Sequence, residues 1–115
     1  MSHRKKLQLK VTAMLELRPA CENCKVPLPP DSTAAMICSF ECTFCRACVK
    51  IVLDNVCPNC GGGFCPRPIR PQRNWKNGDY LGAYPASTIV MHRPVDPLEH
   101  HRFAEPIRVV PPERR

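Results

Sequence analysis

The stretch CENCKVPLPPDSTAAMICSFECTFCRACVKIVLDNVCPNCGGGFC, residues 21–65, holds all nine cysteines of the chain. Eight follow the series Cys21-x2-Cys24-x13-Cys38-x3-Cys42-x2-Cys45-x2-Cys48-x8-Cys57-x2-Cys60, and Cys65 is left over. In each C-x2-C pair a tight turn aims two sulfurs inward, so both can reach one ion at about 2.3 Å. Eight such cysteines supply two closed tetrahedral sites of four sulfurs, and the expected cofactor is two zinc ions. Soft thiolates with no carboxylate cluster select zinc over calcium or magnesium. An iron–sulfur cluster uses the same four-thiolate set and is the alternative. Disulfides, or cysteines serving as small apolar core residues, do not explain why the C-x2-C spacing recurs.

The rest of the composition agrees with a metal-built fold. The 115 residues leave room for one small domain, and aromatic residues make up only 6%, so the side chains that close most cores are scarce. A structural zinc contributes about 10 kcal/mol or more of folding free energy and can replace that core. No apolar run approaches the ~18 residues of a membrane span. The start MSHRKKLQLKVTAML has no long apolar stretch behind its basic residues, so we expect no secretory leader and a cytoplasmic protein, where disulfides are rare.

Charge and proline divide the chain in three: a flexible basic extension over 1–13, a zinc-binding domain over 14–66 and a proline-rich tail over 67–115. Residues 1–13 carry +4 (Arg4, Lys5, Lys6, Lys10), 14–66 carry −1 and 67–115 carry +4, for a net +7. Eight thiolates and two Zn²⁺ would bring the middle segment to −5. Any nucleic-acid contact would then belong to the tails. Met14–Ala20 alternates apolar and polar residues and ends beside Pro19, as a short strand or an extended arm entering the domain would. Ala35–Phe40 and Thr43-Phe44 read as a β-hairpin. Arg46–Asn55 reads as a helix with Val49, Val52, Leu53 and Val56 on one face. Residues 66–115 hold nine of the fourteen prolines. That frequency predicts an extended tail without a long helix, disordered beyond about Pro94 or draped on the domain through Trp75, Tyr80, Leu81, Tyr84 and Ile89.

The run Phe44-Cys45-Arg46-Ala47-Cys48 leading into a helix, followed by Cys57-Pro58-Asn59-Cys60, resembles the second half of a RING finger. A RING-like, treble-clef cross-brace implies that Cys21, Cys24, Cys45 and Cys48 share one zinc and Cys38, Cys42, Cys57 and Cys60 the other. A zinc ribbon would instead join Cys21/Cys24 with Cys57/Cys60. The longer pattern MLELRP, CENC, MICSFECTFC and CPNCGG, from Met14 to about Pro71, closely resembles the bacterial family called domain of unknown function DUF 1272. Its name carries no activity.

For function, the residues point to a small α+β zinc protein, not an enzyme, that binds another protein as an interaction or regulatory module. RING ligases place an apolar residue between the first two cysteines and a basic one after the last. Asn23 and Gly61 stand there instead, which argues against ligase activity. One alternative is nucleic-acid binding through Arg67, Arg70, Arg73, Trp75 and Lys76, where positive charge and an aromatic interleave. Another is a thiol redox sensor centred on Cys65, which reads more simply as a spare cysteine. His3, His92, His100 and His101 read as ordinary chain residues. No Ser/His/Asp arrangement, paired carboxylate or phosphate loop is visible, and the sequence sets no oligomeric state.

Overall fold

The computed structural model describes residues 14–115; the basic extension expected over 1–13 lies outside the described residues. Three short antiparallel strands form the sheet: β1 (Ala35–Ile37), β2 (Thr43–Cys45) and β3 (Cys65–Pro66), in the order β2-β1-β3. Ala35 pairs with Cys45 and Ile37 with Thr43 on one side, and Ile37 pairs with Cys65 on the other. β1 stops at Ile37 rather than reaching Phe40. Cys38 and Cys42 close a turn there, with the Cys38 amide donating to the Cys42 carbonyl at 3.2 Å and Glu41 at φ 67°. Phe40 is left exposed at the tip. β3 was not expected; Pro66 fits it because the strand is two residues long and lies at the sheet edge, where a missing N–H is tolerated.

The expected helix over 46–55 is present in altered form. One turn of α-helix, α1 (Arg46–Cys48), widens directly into a π-helical stretch, Val49–Leu53. It ends at Asp54 and Asn55, both left-handed at φ 57°, a conformation that Asp and Asn tolerate better than most residues. Val49, Leu53 and Val56 are buried, Val52 is half-buried, and Ile51 points to solvent. Of the two readings of Met14–Ala20, the arm holds and the strand does not. The segment's one ladder contact is a lone bridge between Ala20 and Pro27, and its backbone groups are shared between side chains and the amides of Leu28 and Ser87. Arg70 donates to the Leu15 carbonyl, Arg67 to that of Arg18, and the Glu16 amide to the Glu41 carboxylate.

The tail departs most from expectation. It contains a 12-residue helix, α2 (Pro97–Arg108), and a 3₁₀ turn at Pro112–Arg114. Proline position, not proline frequency, decides this. Pro97 occupies the first helical position, where the N–H would be unpaired anyway. Asp96 caps the helix, accepting from the amides of Leu98 at 2.9 Å and Glu99 at 3.2 Å. Only Pro106 lies inside the helix, close to its end. α2 docks on the π-helical stretch through buried His100 and Ala104, with His100 Nε2 2.9 Å from the Leu53 carbonyl oxygen. Trp75, Tyr84 and Ile89, expected to drape the tail, are exposed, while Tyr80 and Leu81 are half-buried.

The core is small. Leu28, Ala35, Phe44, Val49 and Leu53 pack among six buried cysteines, with Phe44 edge-on to Phe64 at 5.5 Å between ring centres. No helix among the described residues is long and apolar enough to cross a membrane.

Candidate metal centre

Each cysteine pair sits where the chain reverses. Cys21 and Cys24 form one knuckle, closed by the Lys25 amide donating to the Cys21 carbonyl at 2.9 Å, with Lys25 left-handed at φ 67°. Cys57 and Cys60 form the second, closed by the Gly61 amide on the Cys57 carbonyl at 2.8 Å; glycine suits position 61 because its φ is +78°. Cys45 caps α1 and Cys48 ends it, and Cys38 and Cys42 bracket the turn after β1.

These reversals bring the sulfurs of Cys21, Cys24, Cys45 and Cys48 within 4.8 Å of one another. The Cys24 and Cys45 sulfurs lie 3.8 Å apart. A tetrahedron of sulfurs about 2.3 Å from a central ion has edges of about 3.8 Å, so the spacing suits a metal. A disulfide needs about 2.05 Å, and all nine cysteines are free. The second group brings Cys38, Cys57 and Cys60 within the same limit. Cys42 adjoins this group and interacts with the thiols of Cys38 and Cys57, but it stands outside the mutual 4.8 Å. The first and third pairs therefore share one cluster. Cys21/Cys24 are not joined to Cys57/Cys60 as a ribbon would require. Cys65 lies in β3, exposed and outside both clusters.

The sulfurs are dressed with N–H donors, as thiolates are. Backbone amides point at four of them: Cys24 at Cys21 (3.5 Å), Cys48 at Cys45 (3.4 Å), Phe40 at Cys38 (3.3 Å) and Gly62 at Cys60 (3.3 Å). Two side-chain amides serve two more. Asn23 Nδ2 donates to Cys48 at 3.2 Å, and Asn59 Nδ2 donates to Cys42 at 3.4 Å. Burial pushes the thiols of Cys42, Cys45, Cys48 and Cys57 above their usual range, outweighing the hydrogen bonds that favour the thiolate. At Cys21 burial also works upward, but backbone hydrogen bonds from Cys24, Cys45 and Asn23 prevail and bring it down. A cation held among these sulfurs would reverse that balance and favour the thiolates.

The other sequence candidates have other occupations. Arg67 is buried, with its guanidinium on the carbonyls of Arg18 (2.9 Å), Leu28 (3.2 Å) and Pro29 (2.9 Å). Arg70 is bonded to the carbonyls of Tyr84 and Leu15. Arg73 lies over Trp75 at 6.0 Å. His92 Nε2 is 3.2 Å from the Asn23 carbonyl oxygen, and His101 is exposed near Glu105. Sequence reasoning missed Asn23, Asn59 and Glu22. The two asparagines had a signal: each stands immediately before the second cysteine of its knuckle, in CENC and CPNC. Glu22 is fully buried and gathers Arg18 at 2.7 Å, Arg93 at 3.1 Å and the Thr43 amide at 2.7 Å.

Residues 14–70 match the model of the family described as "Protein of unknown function (DUF1272)". A protein of Rhizobium meliloti (strain 1021), "Uncharacterized protein R02474", is 52% identical over 81 residues, covering 70% of this chain and 89% of that protein. The chain belongs to the DUF1272 family. No solved structure matches it. The family match spans both knuckles and both cysteine clusters and stops just past β3. The R. meliloti relative extends the likeness over 81 residues, farther than the family model.

Proposed function

We propose that this chain is a two-zinc binding module whose task is to hold a rigid surface for another protein, without catalysis of its own. The observation that carries the metal reading is the four-sulfur cluster of Cys21, Cys24, Cys45 and Cys48, with its 3.8 Å edge and its N–H donors. The second centre would use Cys38, Cys57 and Cys60 with the adjoining Cys42. Zinc bound there supplies structural cross-linking, since four sulfurs leave no open position for water or substrate. The RING-like cross-brace belongs to this proposal too, supported by which pairs cluster.

The non-catalytic reading draws on the tail. The positions that face a conjugating enzyme in RING ligases, Asn23 and Gly61 here, both lie under the C-terminal segment. Val95 bonds to Asn23, while Phe103 and Ile107 stand over Gly61, with Ile107 Cδ1 3.6 Å from where a Cβ would be. Nucleic-acid binding is the weaker reading because Arg67 and Arg70 are committed to carbonyl oxygens. A protein partner suits the exposed apolar residues Ile51, Leu98 and Val109. A cytoplasmic site of action belongs to the same proposal, since cysteines stay unpaired in a reducing compartment.

Cobalt titration of the metal-stripped chain tests the metal reading. Two equivalents should bind with the intense visible and thiolate charge-transfer bands of tetrahedral four-sulfur cobalt. Weak octahedral bands, or no binding, would overturn it.

A further inference from the structure

Asn23 touches both the first metal centre and the tail, and its amide is used at both ends. Nδ2 donates to Cys48 Sγ at 3.2 Å, and Oδ1 accepts from the Val95 amide at 2.8 Å. A metal-bound thiolate offers only lone pairs, so the NH₂ end must face Cys48 and the carbonyl end must face Val95. The neighbouring backbone repeats the contact. The Arg93 amide donates to the Glu22 carbonyl at 2.8 Å, the Arg93 guanidinium reaches the Glu22 carboxylate, and His92 approaches the Asn23 carbonyl. The tail is thus laid along the knuckle between Cys21 and Cys24. Asn59 makes the equivalent bond in the second knuckle, to Cys42, and has no bond to residues 92–95.

We propose that Asn23 is a positioning residue that couples metal in the Cys21/Cys24/Cys45/Cys48 centre to docking of the C-terminal segment. Metal orients the Asn23 amide, the oriented carbonyl receives Val95, and the docked segment leads into α2. Linkage makes the effect reciprocal: a docked tail tightens the metal by the factor by which metal tightens the tail. Loss of the first metal would free the Glu22–Asn23 surface that residues 92–95 now contact. The inference rests on the two-metal reading above.

The test uses the full-length, zinc-loaded chain. Zinc affinities are read by competition with a chromophoric chelator, and tail docking by hydrogen exchange at the Val95 amide. Asn23→Ala should weaken one of the two ions by about 10- to 100-fold, the range for losing a residue that hydrogen-bonds a ligand, and should raise Val95 exchange. Asn59→Ala should weaken the other ion and leave Val95 exchange as in the wild type. Arg93→Ala touches no sulfur, yet it should loosen Val95 and weaken the same ion as Asn23→Ala. Two ions bound with wild-type affinity in both Asn23→Ala and Arg93→Ala would overturn the coupling while leaving the metal reading intact. So would Val95 exchange raised as much by Asn59→Ala as by Asn23→Ala. If Asn23→Ala does not fold, Arg93→Ala decides, and wild-type binding of both ions there overturns the coupling. A wild-type chain that binds no metal overturns the metal reading and the coupling together.

Discussion

Glu22 shows how much one side chain between two ligands can carry. Its carboxylate is buried and holds two arginines and the Thr43 amide. Removing one partner of a buried ion pair costs about 3–5 kcal/mol, because the remaining charges are stranded. Glu22→Ala should lower the stability of the metal-loaded chain by that amount in chemical denaturation. Arg67 is the converse case, a buried cation held by three carbonyls, with burial lowering its pKa. Arg67→Met should cost about 3 kcal/mol by the same measurement, since three acceptors lose a charged donor. Arg67→Lys should recover less than half of that, because an ammonium cannot reproduce the fork. Seven of the eight cysteines singled out in the sequence fall in the two clusters, because the spacing within each pair is local. The burial of Arg67 was not legible there, because its acceptors lie at residues 18, 28 and 29, some forty positions away. In sequence it reads as one more positive charge of a basic tail.

At the scale of elements, the hairpin and the start of the central helix follow from the cysteine turns and the apolar spacing of Val49, Leu53 and Val56. The π-helical widening after Cys48 had no local signal. α2 is hidden by the proline count of the tail, because only a proline's position separates a helix start from a helix break. The signal was present, since Asp96-Pro97 is an N-cap followed by proline at the first helical position. Asp96→Ala should therefore cost α2 about 1 kcal/mol, seen as faster hydrogen exchange across Leu98–Arg102 with β1 and β2 unchanged. Gly63 sets the position of the C-terminal turn, because an added Cβ would meet Pro112 Cγ at 2.9 Å. Gly63→Ala should displace that turn and loosen Arg115, whose guanidinium now bonds the carbonyls of Asn55 and Gly61 at 2.7 and 3.2 Å. Exchange at residues 110–115 would register it.

The whole molecule has only a small apolar core, built among its cysteines, so its stability should follow its metal. Burial raises the thiols of Cys42, Cys45, Cys48 and Cys57 above the ordinary 9.0. In a metal-free fold those shifts favour the folded chain below 9.0, and the benefit is lost as pH rises through the raised values. Metal inverts the sign. The native state then holds thiolates while the unfolded state holds thiols, so the unfolded state binds more protons and stability rises with pH. Denaturation midpoints of the zinc-loaded chain should fall as pH drops below neutral, and a midpoint that stays flat or rises would contradict metal-bound thiolates. The central claim, two metal centres built from eight cysteines, is tested most directly by elemental mass spectrometry of protein purified without added metal, with reactive thiols counted on the same sample. The account predicts two zinc ions per chain and one readily reactive thiol, Cys65. A chain without metal, or one whose nine cysteines all react freely, would contradict it.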